Sequence, residues 1–254
     1  MSKTTTPRHL LGIWSHPDDE AYLSAGLMAR TIDNGGQVTL LTLTDGEKGF
    51  PAEDRRTTEE RVALRRGELA SAMAEIGVTD VHFLGIPDGD IARTEPAFLV
   101  GVIGRLMADV NPDAVVTFGP DGFTGHDDHV ATGALTTQAW LQNQQGQLLY
   151  TTKSTQWLDR WRELNNRFGV WMPEEPIGVA CEDMAFTINM EHGELERKRA
   201  VLAAHHSQTA GLAAAFGERR YRQWVSEEAF RLPTTAELDH IGRYSPETML
   251  QLAV

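Results

Sequence analysis

The chain of 254 residues is long enough for one sizeable α/β domain with a small appendage. Its 36 acidic against 23 basic side chains leave a formal charge of -13, which argues against a nucleic-acid partner and an anionic membrane surface, and no apolar run reaches bilayer length. Residues 1–7 lack the apolar stretch of a secretory signal and the single Cys181 has no intrachain partner, so a cytoplasmic protein is expected, with homo-oligomerisation left open.

The first element is the apolar run Leu10–Trp14, of strand length, which leads into Ser15-His16-Pro17-Asp18-Asp19-Glu20. Four ionisable side chains so close together have no place in a packed core, because each unpaired buried charge is costly or is neutralised. They belong at an opening. Ala21 to Arg30 carries apolar residues at helical spacing, so the motif falls at a strand-to-helix turn, with Pro17 expected in the first helical turn. Carboxylates there face the positive end of the helix dipole. One imidazole and two carboxylates on a tight turn form a partial site for a divalent cation of the zinc type.

Asn34-Gly35-Gly36 closes this helix, and Gln37 to Thr44 is a β-branched, leucine-rich strand ending in the loop Asp45-Gly46-Glu47-Lys48-Gly49-Phe50. A helix Arg61–Ile76 stopped by Gly77, a strand Val81–Leu84, a loop Gly85–Asp90 and a helix Phe98–Met107 follow. The fourth strand, Asp113–Phe118, runs into a loop with glycines at 119, 122 and 125 that ends in His126-Asp127-Asp128-His129, and Val130 to Leu141 resumes a helical pattern. Leu148–Thr152 is a fifth strand. Beyond it, Trp157, Trp161, Trp171 and the prolines at 173 and 176 mark a loop-rich stretch with no readable path up to residue 184, before a strand Ala185–Met190 and a charged helix Glu194–His206.

Strands alternating with helices indicate an α/β, Rossmann-like, mostly parallel sheet with helices on both faces. Residues 1–152 form the expected catalytic core and 153–254 a smaller C-terminal covering segment. In the usual order 3-2-1-4-5, strands one and four lie side by side where the winding reverses, and ligands bind at their carboxyl ends. The two histidine-bearing turns would meet there. A Gly-x-Gly-x-x-Gly fingerprint is missing after the first strand, which counts against a dinucleotide.

His16-Pro17-Asp18-Asp19-Glu20, Thr44-Asp45-Gly46-Glu47, Arg65 with Glu68, Leu84-Gly85 with Asp88, His126-Asp127-Asp128-His129, and Lys198 with His205, Ser207 and Gln208 resemble the LmbE/PIG-L family of metal-dependent N-acetylglucosaminyl deacetylases. The resemblance covers most of the chain, and the final Val254 leaves little room for an added domain. It implies metal ligands His16, Asp19 and His129, with Asp18 as general base and His126 supporting the transition state. The implied ion is Zn2+, although Fe2+ suits the same imidazole and carboxylate donors.

Two imidazoles, one carboxylate and an open position make a catalytic rather than a structural site. On this reading a water made acidic by the metal yields its proton to Asp18 and attacks an N-acetyl carbonyl, while the metal and a protonated His126 stabilise the oxyanion. Acetate leaves an N-acetylglucosamine-type small molecule as a free amine. Asp128 would orient an imidazole. Arg65, Asp88 and His205 would contact the sugar, against plainer readings as a solvated helix face, a turn residue and a helix cap. The competing functions are hydrolysis of another amide or of an ester, and a non-catalytic module that holds an ion.

Overall fold

Strand β1 (His9–Trp14) places Leu10 and Trp14 on one side and Leu11 and Ile13 on the other, and all four are fully buried, so helices must cover both faces. The computed structural model describes residues 6–172 and 175–253; the sequence readings that fall on residues 1–5, 173 and 254 lie outside them. After β1 come α1 (Asp19–Leu23), α2 (Ala25–Asp33), β2 (Gln37–Thr44), α3 (Thr58–Ala74), β3 (Asp80–Ile86), α4 (Pro96–Val110) and β4 (Ala114–Phe118). The single turn α5 (Gly122–Gly125), α6 (Asp127–Asn143), β5 (Gln147–Thr152) and α7 (Thr155–Arg167) follow. The chain ends with β6 (Phe186–Asn189), α8 (His192–Ala204), α9 (His206–Phe216), α10 (Glu218–Val225), β7 (Glu227–Arg231), α11 (Thr235–Gly242) and α12 (Pro246–Ala253).

The strands form one sheet of order β3-β2-β1-β4-β5-β7-β6. The first five are parallel, as expected, and β7 runs antiparallel to both β5 and β6. Leu10, Trp14, Leu40, Val116 and Phe118 pack on the α2, α3 and α8 side, whereas Leu11, Ile13, Leu41 and Val115 pack on the α4 and α6 side. Each fully buried Leu or Ile contributes about 1.5–3 kcal/mol, so β1 and β4 are rigid carriers for the turns at their ends.

Three expectations are amended. The helix read as Ala21–Arg30 is two, α1 and α2, broken at Ser24 (φ −147°), where the Glu228 carboxylate accepts from the Gly26 and Leu27 amides and caps a second helix. Pro17 precedes the helix rather than opening it, since α1 begins at Asp19. The covering segment after residue 152 is also part of the sheet, because β6 and β7 extend it and Ile188, Val201 and Phe230 join the core built by β1 and β4.

Candidate metal and active site

The β1 turn is fastened to the start of α6: the Ser15 hydroxyl donates to the Asp128 carbonyl (3.0 Å) and lies 2.8 Å from the Thr132 hydroxyl. Adjacent pairing of β1 and β4 therefore becomes adjacency of side chains. His16 Nδ1 lies 3.2 Å from His129 Nε2, which in turn lies 3.2 Å from Asp19 Oδ1. One donor atom from each of His16, Asp19 and His129 falls within 4.8 Å of the others.

The sides of these groups that face away from one another are occupied. His129 Nδ1 is 3.1 Å from the Gly122 carbonyl, which can only accept, and 2.9 Å from the Thr124 hydroxyl, so Nδ1 carries a proton and Nε2 is the nitrogen that faces the centre. Its ring is stacked on Phe118 at 4.2 Å. His16 Nε2 faces Asp88 Oδ1 (3.1 Å) and Asp128 Oδ2 (3.3 Å), so it too carries a proton and Nδ1 is the inward nitrogen. The His16 amide fixes Asp19 by donating to Oδ2 at 2.8 Å.

The local field asks for positive charge. Burial disfavours an imidazolium at His16, yet Asp128, Asp88 and Asp19 raise its pKa to about 10. Burial likewise acts to raise Asp19, but His129 and His16 hold it down at about 2. Two inward nitrogens, one ionised carboxylate and an excess of surrounding negative charge fit a divalent cation of borderline hardness. His16, Asp88 and His126 form a second compact set, but it would use the His16 nitrogen that donates to Asp88 and Asp128.

Asp18, the residue before Asp19, is half-buried, with φ 136° and ψ −22°. Burial raises its pKa to about 6 against the pull of Arg65, whose Nη2 is 3.4 Å from Asp18 Oδ1. His126 caps α6: its Nδ1 accepts from the Asp128 amide at 3.1 Å, and its ring sits 4.8 Å from that of His16. Burial lowers its pKa, as do the imidazoles of His16 and His129.

The three side chains expected to touch the sugar are spent on the protein. Arg65 is 2% exposed and binds the carbonyls of Gly46 (2.9 Å) and Pro17 as well as Asp18. Gly46 has to be glycine: at φ +63° a Cβ would stand 2.9 Å from the Arg65 guanidinium carbon. Asp88 divides its oxygens between His16 and the Lys48 amide (3.1 Å). His205 is fully buried against Glu20 at 2.7 Å. Asp128 Oδ2 lies 3.3 Å from His16 Nε2.

Roles for Glu20, Glu47 and Glu68 escaped the sequence reading, although all three lie within the quoted motifs. Glu47 accepts from the Asp88 amide (2.9 Å), tying the loop after β2 to that after β3. Glu68 accepts from the Ser207 amide (2.7 Å) and hydroxyl (2.6 Å), fastening α3 to α9.

Fold and site together define a doubly wound α/β protein with a His-Asp-His donor set at the carboxyl edge of its sheet. The chain belongs to the PIG-L family, GlcNAc-PI de-N-acetylase, whose profile matches residues 11–140. It is 40% identical over 150 residues to a 1D-myo-inositol 2-acetamido-2-deoxy-alpha-D-glucopyranoside deacetylase of Streptomyces avermitilis, covering 50% of this chain and 51% of that one. The chain thus spans about half the length of that relative. In fold it is similar to the N,N'-diacetylchitobiose deacetylase of Pyrococcus horikoshii, with TM-score 0.60, 18% identity and coverage of 89% of this chain and 84% of the other. It is equally similar to GalB, the 4-carboxy-2-hydroxymuconate hydratase of Pseudomonas putida KT2440, with TM-score 0.59, 15% identity and coverage of 89% and 97%. A fold shared with a hydratase leaves the reaction to be argued from the site.

Proposed function

We propose that this protein is a metal-dependent deacetylase of small molecules or glycoconjugates bearing N-acetylglucosamine, acting with His16, Asp19 and His129 as ligands. The observation that carries the reading is the meeting of these three side chains, each oriented from behind, with Asp18, paired to Arg65, adjoining Asp19 in the chain. The family and the names of the curated relatives supply the substrate class. A divalent cation held there supplies a Lewis acid that acidifies water and polarises an amide carbonyl. Zinc is the first choice for two imidazoles and a carboxylate.

The chain's own groups do the rest. Asp18, with a pKa near about 6, is ionised at neutral pH yet basic enough to take a proton from the attacking water. The same proton then goes to the departing amine. His126 was expected to act as a cation, but its Nδ1 accepts from a main-chain amide and its pKa is lowered, so the neutral ring carries its proton on Nε2. From there it donates a hydrogen bond to the tetrahedral oxyanion without a prior protonation. Among the described residues no helix is long and apolar enough to cross a membrane, which suits a water-soluble amino-sugar substrate.

The test is direct. Zinc-loaded protein incubated with N-acetylglucosaminyl inositol and with other N-acetylglucosamine conjugates should release acetate and a free amine, lose this on chelation and regain it with zinc. Absence of acetate release from the whole panel, with full metal occupancy, removes the proposal.

A further inference from the structure

Asp18 adopts φ 136° and ψ −22°, a region that residues carrying a Cβ rarely enter and that persists only where the surroundings over-determine it. Arg65 grips the Pro17 carbonyl and the Asp18 carboxylate, the Ala21 and Tyr22 amides donate to the Asp18 carbonyl, and a further contact fixes the Asp18 amide. The Asp18 amide donates to Glu20 Oε2 at 3.0 Å, and the other oxygen of the same carboxylate, Oε1, accepts from His205 Nε2 at 2.7 Å. Glu20 and His205 are both fully buried, and His205 Nδ1 has no hydrogen-bond partner among the described residues. The contact therefore gives the ring one direction only, towards Glu20. His205 sits at the joint between α8 and α9, and the next residues, through Ser207, are fixed to Glu68 of α3.

We infer that Glu20 and His205 are positioning residues for Asp18: the C-terminal segment reaches back through His205 and Glu20 to hold the main chain of Asp18 in its strained turn, and so aims the carboxylate at the reacting water. This rests on Asp18 acting as the base. Three features separate it from ordinary packing. The bond is between buried polar side chains 185 positions apart, it ends on the amide of the strained residue itself, and the triad hangs on other contacts. A base displaced by about 1 Å costs on the order of 100-fold in rate without loss of substrate affinity.

The experiment pairs a crystal structure with kinetics, on zinc-loaded His205→Leu. Metal content should match the wild type, and Asp18 should leave positive φ. Turnover should fall ~10–100-fold with KM little changed, and His205→Gln, which keeps a donor for Glu20, should restore much of it. In an Asp18→Asn background the His205 substitution should cost nothing further, since it acts through a base already removed. Asp18 retaining its torsions in His205→Leu overturns the inference, as does a full, multiplicative loss in the Asp18→Asn background. If His205→Leu does not fold, Glu20→Gln is read by the same structure and the same cycle. The torsion result needs no substrate, so it decides the tether even if the protein deacetylates nothing that is tried.

Discussion

At the ends of β1 and β4, Asp19, Asp88 and Asp128 crowd around His16 and His129, so that carboxylates outnumber the imidazoles they face. Between α2 and β7, by contrast, Lys198 and Glu228 meet at 2.7 Å with neither exposed. There the account closes on itself. Lys198 also donates to the Tyr22 carbonyl (2.7 Å), and Glu228 takes up two amides at the start of α2. Lys153 lies alongside, its ammonium over Trp157 and bonded to the Glu227 carbonyl. Both regions are buried and ionic. The difference is that one is satisfied internally and serves to anchor helices, whereas the other turns two imidazole nitrogens and one carboxylate inward within a surplus of carboxylates.

Substitutions in the two regions should therefore fail in different ways. The largest effect is expected for His129→Ala, which should lose metal and nearly all turnover while its apo form melts close to the wild-type apo protein; full zinc occupancy by elemental analysis would place the third ligand elsewhere. Asp18→Asn should keep the metal and lose ~100–10,000-fold in turnover, and a collapse of metal content would make Asp18 a ligand instead of a base. Glu228→Ala should do the reverse of His129→Ala: destabilise by about 3–5 kcal/mol, because Lys198 is left buried without its carboxylate, with zinc affinity of the folded fraction unchanged. Chemical denaturation measures this.

Smaller effects refine the contrast. Asp88→Asn, which weakens the hold on His16 Nε2, should lower zinc affinity about 10–100-fold; a raised KM at unchanged zinc affinity would return Asp88 to the substrate. Burial and the nearby Lys198 push the pKa of Lys153 down to about 7. The unfolded chain, with a lysine near about 10.4, then binds more protons than the native one between those values, so this residue makes stability rise with pH across that window. Relative to Lys153→Met, wild-type stability should climb by up to about 1.4 kcal/mol per pH unit above pH ~7. A flat difference would show that Lys153 keeps its charge.

How much of this was legible before the structure depends on how far each feature depends on remote residues. The order of the first five strands and the meeting of the two acidic turns followed from local apolar runs and the winding rule, and the structure has them as expected. Strand β7 was missed because Glu-Glu-Ala-Phe-Arg is short and charged, and one of its glutamates, Glu228, points into the core. The break at Ser24 was missed for the same reason, since the carboxylate that caps α2 lies about two hundred positions away. Arg65 is read from the sequence as a sugar contact, or more plainly as a solvated helix face, because nothing near it in sequence shows that Pro17 and Gly46 take its hydrogen bonds.

The insertion of β7 between β5 and β6 bears on how the protein is made. During synthesis β5 and β6 emerge well before the strand that joins them, so each presents an unpaired edge to other chains until residue 231 has left the ribosome. A nascent chain halted short of that point would carry both histidine-bearing turns on an open-edged sheet prone to aggregation.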